Sequence, residues 1–157
     1  VTRCFPVSGK FTDRQKEVYG AVLRVEKASI GLLRPGVILS EYHVQVGELM
    51  TKELLNLGLL SKNDIDNQDP LWPAYKKYFM HGTSHYLGLD VHDYGLWDGT
   101  PIAEGMVFTC EPGIYIPEEG IGIRIEDDIV ITAEGHINLT KDIPKEIVDI
   151  EAAMAKI

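Results

Sequence analysis

Apolar residues recur with a helical period in two stretches of the N-terminal third of the chain. The first follows Thr12-Asp13-Arg14-Gln15, a capping-box pattern, and its apolar stripe ends at Arg34-Pro35-Gly36. A second helix is predicted to begin with Ser40 as its cap. Its apolar stripe is formed by Tyr42, Val46, Leu49, Met50, Leu54 and Leu57. His43 falls on the flank of this helix, where we expect it to be exposed.

The C-terminal half changes to a strand-like pattern. Residues 106–116 and 121–131 are rich in Ile, Val, Phe and Tyr, and the four residues between them suit a tight turn. This arrangement predicts an antiparallel hairpin. The polar residues 61–73 are predicted to form a surface loop, residues 98–101 another loop, and the helical spacing after Pro144 a closing helix. Helices and an antiparallel sheet together predict an α+β fold.

The register of the hairpin brings polar side chains together. If Ile116 pairs with Ile121, side-chain alternation places four polar residues on one face: Glu111, Tyr115, Arg124 and Glu126. The two glutamates would then be directly opposite, with Cβ atoms roughly 5 Å apart, and would repel each other unless they are solvated, share a proton or bind a cation. We favour the cation. Pro112 cannot donate to a strand ladder, so a bulge there would shift this register.

Three of the five histidines fall within residues 81–93. His81 and His85 are four residues apart, but the Gly at position 82 excludes the zinc-protease helix, which needs Glu there. We therefore expect residues 87–93 to be extended or turning rather than helical. A histidine added to the two glutamates gives a ligand set that suits Mn, Co, Fe or Zn. A site for two metal ions would need more carboxylates than these.

Composition limits the classes of partner. A length of 157 residues corresponds to one domain, and the net charge of −9 argues against a nucleic acid or an anionic membrane as partner. The sequence has no apolar run long enough to span a bilayer. Cys4 and Cys110 form no paired motif, so we expect structural thiols in a reducing, cytoplasmic compartment.

Three motifs, in order, resemble those of the pita-bread metallopeptidases: HGTSHYLGLDVHD, GMVFTCEPGIYI and GIRIEDD. The resemblance is greatest to aminopeptidase P and extends to both ends of the chain, through TRCFPVSGKFT and IPKEIVDIEAAM. It implies a partial pita-bread fold and a hydrolase that releases the N-terminal residue of peptides with proline in second position. The alternatives are a prolidase, which cleaves Xaa-Pro dipeptides, and a non-catalytic pita-bread binding module.

The same resemblance implies roles for individual residues. His85, Glu111 and Glu126 match metal ligands, and Glu111 also matches the proton shuttle. His81 and His92 match the histidines that position substrate and stabilise the tetrahedral intermediate, whereas Arg124 and Tyr115 match residues around the metals. The implied cofactor is a pair of divalent ions, expected to be manganese, with cobalt, zinc or iron as alternatives.

The family also uses two aspartate ligands that would precede Val1. The resemblance therefore implies that residues 1–157 are the C-terminal part of a catalytic domain, without its first part and without an N-terminal domain. We expect this chain alone to be inactive and to hold no ion, or one weakly bound ion. The parent protein is expected to bind proline-containing peptides and to form a homo-oligomer.

Overall fold

The computed structural model describes residues 1–155, so the last two residues of the predicted 1–157 unit lie outside the described part. Its helices are α1 (Asp13–Leu32), α2 (Leu39–Asn56), α3 (Lys62–Asp66) and α4 (Ile147–Met154), with 3-10 turns at Ala74–Lys77 and Pro117–Glu119. Its strands are β1 (Val107–Cys110), β2 (Gly113–Ile116), β3 (Ile121–Arg124), β4 (Asp127–Thr132) and β5 (Gly135–Asn138). Among the described residues, no helix has the length and apolar content needed to cross a membrane.

The two long helices pack against each other and form one layer of the core. The capping box of α1 is confirmed, because the Thr12 side chain accepts from the backbone of Gln15 and the Gln15 side chain accepts from the backbone of Thr12. The predicted stripe of α2 is buried at Tyr42, Val46, Met50 and Leu54. The predicted cap at Ser40 is wrong. Helix α2 begins at Leu39, after Ile38, which makes no side-chain capping bond.

The predicted exposure of His43 is also wrong. This side chain is half-buried because the segment around Gly82 folds over the flank of α2: a Cβ on Gly82 would lie 3.4 Å from Cε1 of His43. The Trp97 ring packs edge-on against another side of the His43 imidazole, with 6.2 Å between ring centroids. Burial lowers the pKa of His43. Helical periodicity cannot predict this burial, because the covering residues come from a distant part of the chain.

The remaining connections follow the predicted pattern with one correction. Residues 61–73 are exposed apart from the half-buried Ile65 and Pro73, but they contain the short helix α3, which starts with a capping box between Ser61 and Asp64. The loop at residues 98–101 is present, with Gly99 at a φ of 89° and Thr100 bound to Asp98. The closing helix is confirmed as α4, whose Ile150 is buried.

The hairpin has the predicted register. Tyr115 pairs with Gly122 and Gly113 with Arg124, and on the far side of Pro112 the same register continues with Cys110 opposite Asp127. The proline interrupts the ladder without shifting it, since its carbonyl accepts from the Ile125 amide at 3.3 Å. The hairpin is therefore divided into two sheets, β2-β3 and β1-β4-β5, in one continuous alignment.

The histidine segment lies along the free edge of β1. The amide of Thr109 donates to the carbonyl of His85, that of Leu87 to Val107, and that of Glu111 to Thr83. This backbone pairing brings the extended residues 83–87 directly beside the strand that leads to Glu111. On the other face of the hairpin Ile123 and Ile125 are buried and Ile121 is half-buried, so this face packs on the core.

Candidate metal centre

Three predicted ligands converge at the point where the hairpin changes sheets. Ligand atoms of His85, Glu111 and Glu126 all lie within 4.8 Å of one another, and all three residues are half-buried. Glu111 follows β1, Glu126 precedes β4, and His85 lies on the segment alongside β1. Two features therefore assemble the cluster: the alignment of the two strands across Pro112, and the backbone pairing of His85 with the edge of β1.

The hydrogen bonding of His85 determines which ring nitrogen is free. Its Nδ1 lies 2.9 Å from the carbonyl oxygen of Tyr86, and a carbonyl only accepts, so Nδ1 carries the hydrogen. In the neutral ring Nε2 then has a lone pair, and it lies 3.2 Å from Oε1 of Glu111. Two acceptors at that distance repel unless a proton or a cation lies between them. A neutral imidazole beside two carboxylates is a ligand set for a divalent transition-metal ion, and the residues present fit such an ion.

Both glutamates are held by threonine hydroxyl groups that we did not predict. Thr109 Oγ1 lies 3.3 Å from Oε1 of Glu111, and Thr2 Oγ1 donates to Oε2 of Glu126. The signal for Thr109 was available, because it lies two positions before Glu111 on a strand and so shares its face. Thr2 is far from Glu126 in sequence and gave no such signal.

Arg124 lies beside the glutamate cluster. Its Nε is 3.9 Å from Oε2 of Glu111, and its Nε and Nη2 lie 3.3 and 3.2 Å from Oγ1 of Thr2. The guanidinium group thus contacts one carboxylate directly and reaches Glu126 through Thr2. It provides positive charge beside a cluster of two carboxylates.

His81 is held between its own segment and the hairpin. Its Nδ1 lies 2.8 Å from the carbonyl of Gly82 and donates to it, so in the neutral ring Nε2, 2.8 Å from the Tyr115 hydroxyl, accepts from Tyr115. Burial raises the pKa of Tyr115, which keeps the phenol protonated. The Phe79 ring packs edge-on against the imidazole, 4.9 Å between centroids.

His92 completes the histidine group from an exposed loop. Its ring is 4.4 Å from that of His85 between centroids. A cavity of about 440 Å³ opens over the cluster. Five of the predicted site residues line it: His81, His85, His92, Glu111 and Arg124.

A buried ionic network supports β4, the strand that Glu126 precedes. The carboxylate of Asp127 is fully buried and accepts from Arg3, Lys145, Asn138 and Thr140. Burial alone would raise the pKa of Asp127, but the hydrogen bond from Lys145 and those from Asn138 and Arg3 outweigh it and lower that pKa. Arg3 also donates to the backbone carbonyl of Glu126, so the backbone of this candidate ligand is itself fixed.

The sequence model of metallopeptidase family M24 matches residues 1–133. The chain belongs to this family. Similar proteins include the Xaa-Pro aminopeptidase of Escherichia coli, 48% identical over 98% of this chain and 37% of that protein. Xaa-Pro aminopeptidase 3 of Homo sapiens is 41% identical over 96% of this chain and 31% of that protein. The present chain thus spans less than two-fifths of the length of either relative.

Solved structures agree with this membership. A putative aminopeptidase P from Bacillus anthracis matches with a TM-score of 0.88 and 39% identity, over 98% of this chain and 35% of that one. Zinc-substituted E. coli aminopeptidase P in complex with product matches with a TM-score of 0.88 and 45% identity, over 98% of this chain and 37% of that one. These matches confirm the predicted α+β architecture as part of a pita-bread fold.

Proposed function

We propose that this chain is the C-terminal part of the catalytic domain of a metal-dependent Xaa-Pro aminopeptidase. The observation that carries the proposal is the 3.2 Å approach of the His85 Nε2 lone pair to a Glu111 carboxylate oxygen, with Glu126 beside them. This arrangement needs a cation or a proton. The names of the similar proteins support peptides with proline in second position as the substrate class.

His85, Glu111 and Glu126 would hold the metal. Their one imidazole and two carboxylates suit Mn, Co, Fe or Zn. A bound divalent ion would polarise the scissile carbonyl and let water ionise near neutral pH. Three side chains are too few to hold two ions, so a second ion would need ligands from other parts of a longer protein. The greater length of the relatives is consistent with that requirement.

The proton transfers and charge stabilisation would come from side chains around the cavity. Glu111 would take the proton of the attacking water and pass it to the leaving amine. His92 would stabilise the negative charge that develops on the carbonyl oxygen, and His81, held by Tyr115 and Gly82, would position the substrate. Arg124 would hold the carboxylate of Glu111 directly and that of Glu126 through the Thr2 hydroxyl group.

The test is hydrolysis by the full-length protein. We would compare Xaa-Pro-Yaa tripeptides, Xaa-Pro dipeptides and Xaa-Ala-Yaa tripeptides, after removal of metal and after addition of Mn²⁺, Co²⁺ or Zn²⁺. The proposal predicts metal-dependent release of the first residue from the proline tripeptides. Hydrolysis of the dipeptides alone would identify a prolidase. Failure to cleave any of these peptides with any of the three metals would leave the binding-module alternative.

A further inference from the structure

Each candidate glutamate ligand accepts from one threonine, and the two threonines come from distant parts of the chain. We infer that Thr2 and Thr109 are positioning residues, whose hydroxyl groups fix the carboxylates of Glu126 and Glu111 and thereby set the affinity for metal. This inference rests on the proposed function, because it assigns the threonines to the metal site of that function.

The direction of the Thr2 hydrogen bond follows from its neighbours. Thr2 and Glu126 exchange both backbone hydrogen bonds, at 3.1 and 3.3 Å, which holds their side chains together. Arg124 lies 3.2 Å from the Thr2 hydroxyl oxygen, and a guanidinium group only donates, so this oxygen acts as an acceptor toward Arg124. The hydroxyl hydrogen is left for Oε2 of Glu126, and an ionised carboxylate can only accept it.

The direction of the Thr109 hydrogen bond, in β1, also follows from its neighbours. The backbone amide of His85 donates to its hydroxyl oxygen at 3.1 Å, which leaves the hydroxyl hydrogen for Oε1 of Glu111 at 3.3 Å. Thr109 is fully buried, so water cannot replace this contact easily. The same hydroxyl therefore fixes the position of one ligand, His85, through its backbone and another, Glu111, through its side chain.

The consequence is a cluster that is aligned before any ion binds. Hydrogen bonds from outer residues orient metal ligands, and their loss typically weakens metal affinity or activity about 10–100-fold. Valine has the shape of threonine without the hydroxyl group, whereas serine keeps the hydroxyl group. The two substitutions at each position therefore separate hydrogen bonding from packing.

The experiment uses the full-length protein with Thr2→Val, Thr109→Val, Thr2→Ser and Thr109→Ser. The Kd for Mn²⁺ alone is measured by calorimetric titration of the metal-free protein, and kcat and KM with an Xaa-Pro-Yaa tripeptide. We expect the valine variants to bind Mn²⁺ about 10–100-fold more weakly and the serine variants to stay close to wild type. Thr51→Val is the matched control, because the Thr51 hydroxyl donates to the Gly47 carbonyl within α2.

The outcomes separate this inference from the proposed function. Folded valine variants with wild-type affinity for Mn²⁺ overturn the inference, even if the wild-type protein cleaves Xaa-Pro peptides. A wild-type protein that cleaves none of them, but whose Mn²⁺ affinity depends on both hydroxyl groups, overturns the proposed function alone. If the Thr109→Val variant does not fold, the half-buried Thr2 decides the question, through Thr2→Val against Thr2→Ser.

Discussion

The hydroxyl group of Tyr115 donates to Nε2 of His81 at 2.8 Å, because the other ring nitrogen of His81 donates to the Gly82 carbonyl. This contact joins the β2-β3 sheet to the histidine segment. With this contact, both ring nitrogens of His81 have a hydrogen-bond partner. The orientation of this histidine in the cavity therefore depends on a phenol on the hairpin.

Replacing Tyr115 by Phe tests this dependence. The Tyr115→Phe variant removes one hydrogen bond of about 1 kcal/mol, so we expect kcat/KM of the full-length protein to fall about fivefold. The Kd for metal should not change, since Tyr115 is outside the ligand cluster. Tyr94→Phe is the matched control, because Tyr94 is 86% exposed. An unchanged kcat/KM for Tyr115→Phe would show that this contact does not matter for hydrolysis.

Substitution of His92 separates charge stabilisation from metal binding. If His92 donates to the developing oxyanion, His92→Ala should lower kcat about 10²–10³-fold, the usual cost of losing such a donor. The metal content, measured by atomic absorption, should stay at the wild-type level. A protein that loses its metal together with its activity would instead identify His92 as a ligand.

The 157-residue chain on its own should bind metal weakly. Because only His85, Glu111 and Glu126 converge among residues 1–155, we expect calorimetric titration with Mn²⁺ to give at most one ion per chain. We expect no hydrolysis of Xaa-Pro peptides. Glu126→Gln should abolish the binding that remains. Two tightly bound ions per chain would show that further ligands exist.

The success and failure of the sequence predictions have a physical explanation. The convergence of Glu111 and Glu126 followed from turn length and two-residue alternation, which are local. Pro112 did not disturb it, because the two strands have the same number of residues between their paired segments. The contact of Thr2 with Glu126 and the burial of His43 join distant segments. No periodic pattern in one segment can predict which other segment will cover it.

The close contact between α2 and the following segment gives a stability prediction. The Tyr75 ring lies so near the backbone of Gly47 that a Cβ there would be 2.6 Å from a ring carbon. Gly47→Ala should therefore destabilise the protein by about 1–3 kcal/mol, although alanine favours helices. Gly31→Ala in α1 is the control, because its Cβ would enter open space and should stabilise by about 0.5–1 kcal/mol. The free energies of unfolding are measured in urea. If both variants changed this free energy in the same direction, the result would contradict this packing.

The buried carboxyl group of Glu26 predicts how stability changes with pH. Glu26 lies on α1 and is fully buried, with Oε1 at 2.6 Å from the ammonium of Lys145. Burial raises the pKa of Glu26 to about 7, and the hydrogen bond from Lys145 only partly opposes this. The native state therefore binds this proton more tightly than the unfolded state, whose carboxyl has a pKa near 4.5. The stabilisation is complete below pH 4.5 and is lost as the pH rises through about 7.

The measurement compares wild type with Glu26→Gln, whose amide oxygen can still accept from Lys145. Between pH 5 and pH 8, the free energy of unfolding of the wild type, minus that of the variant, should fall by about 1–3 kcal/mol. Taking this difference removes the contribution of His43, whose pKa is lowered and whose effect on stability has the opposite sign. Asp127, whose pKa is also lowered, stays ionised over this pH range. Stability curves that stay parallel across this pH range would mean that Glu26 is ionised in the folded protein throughout. Lys145 would then offset the cost of burying the charge of Glu26.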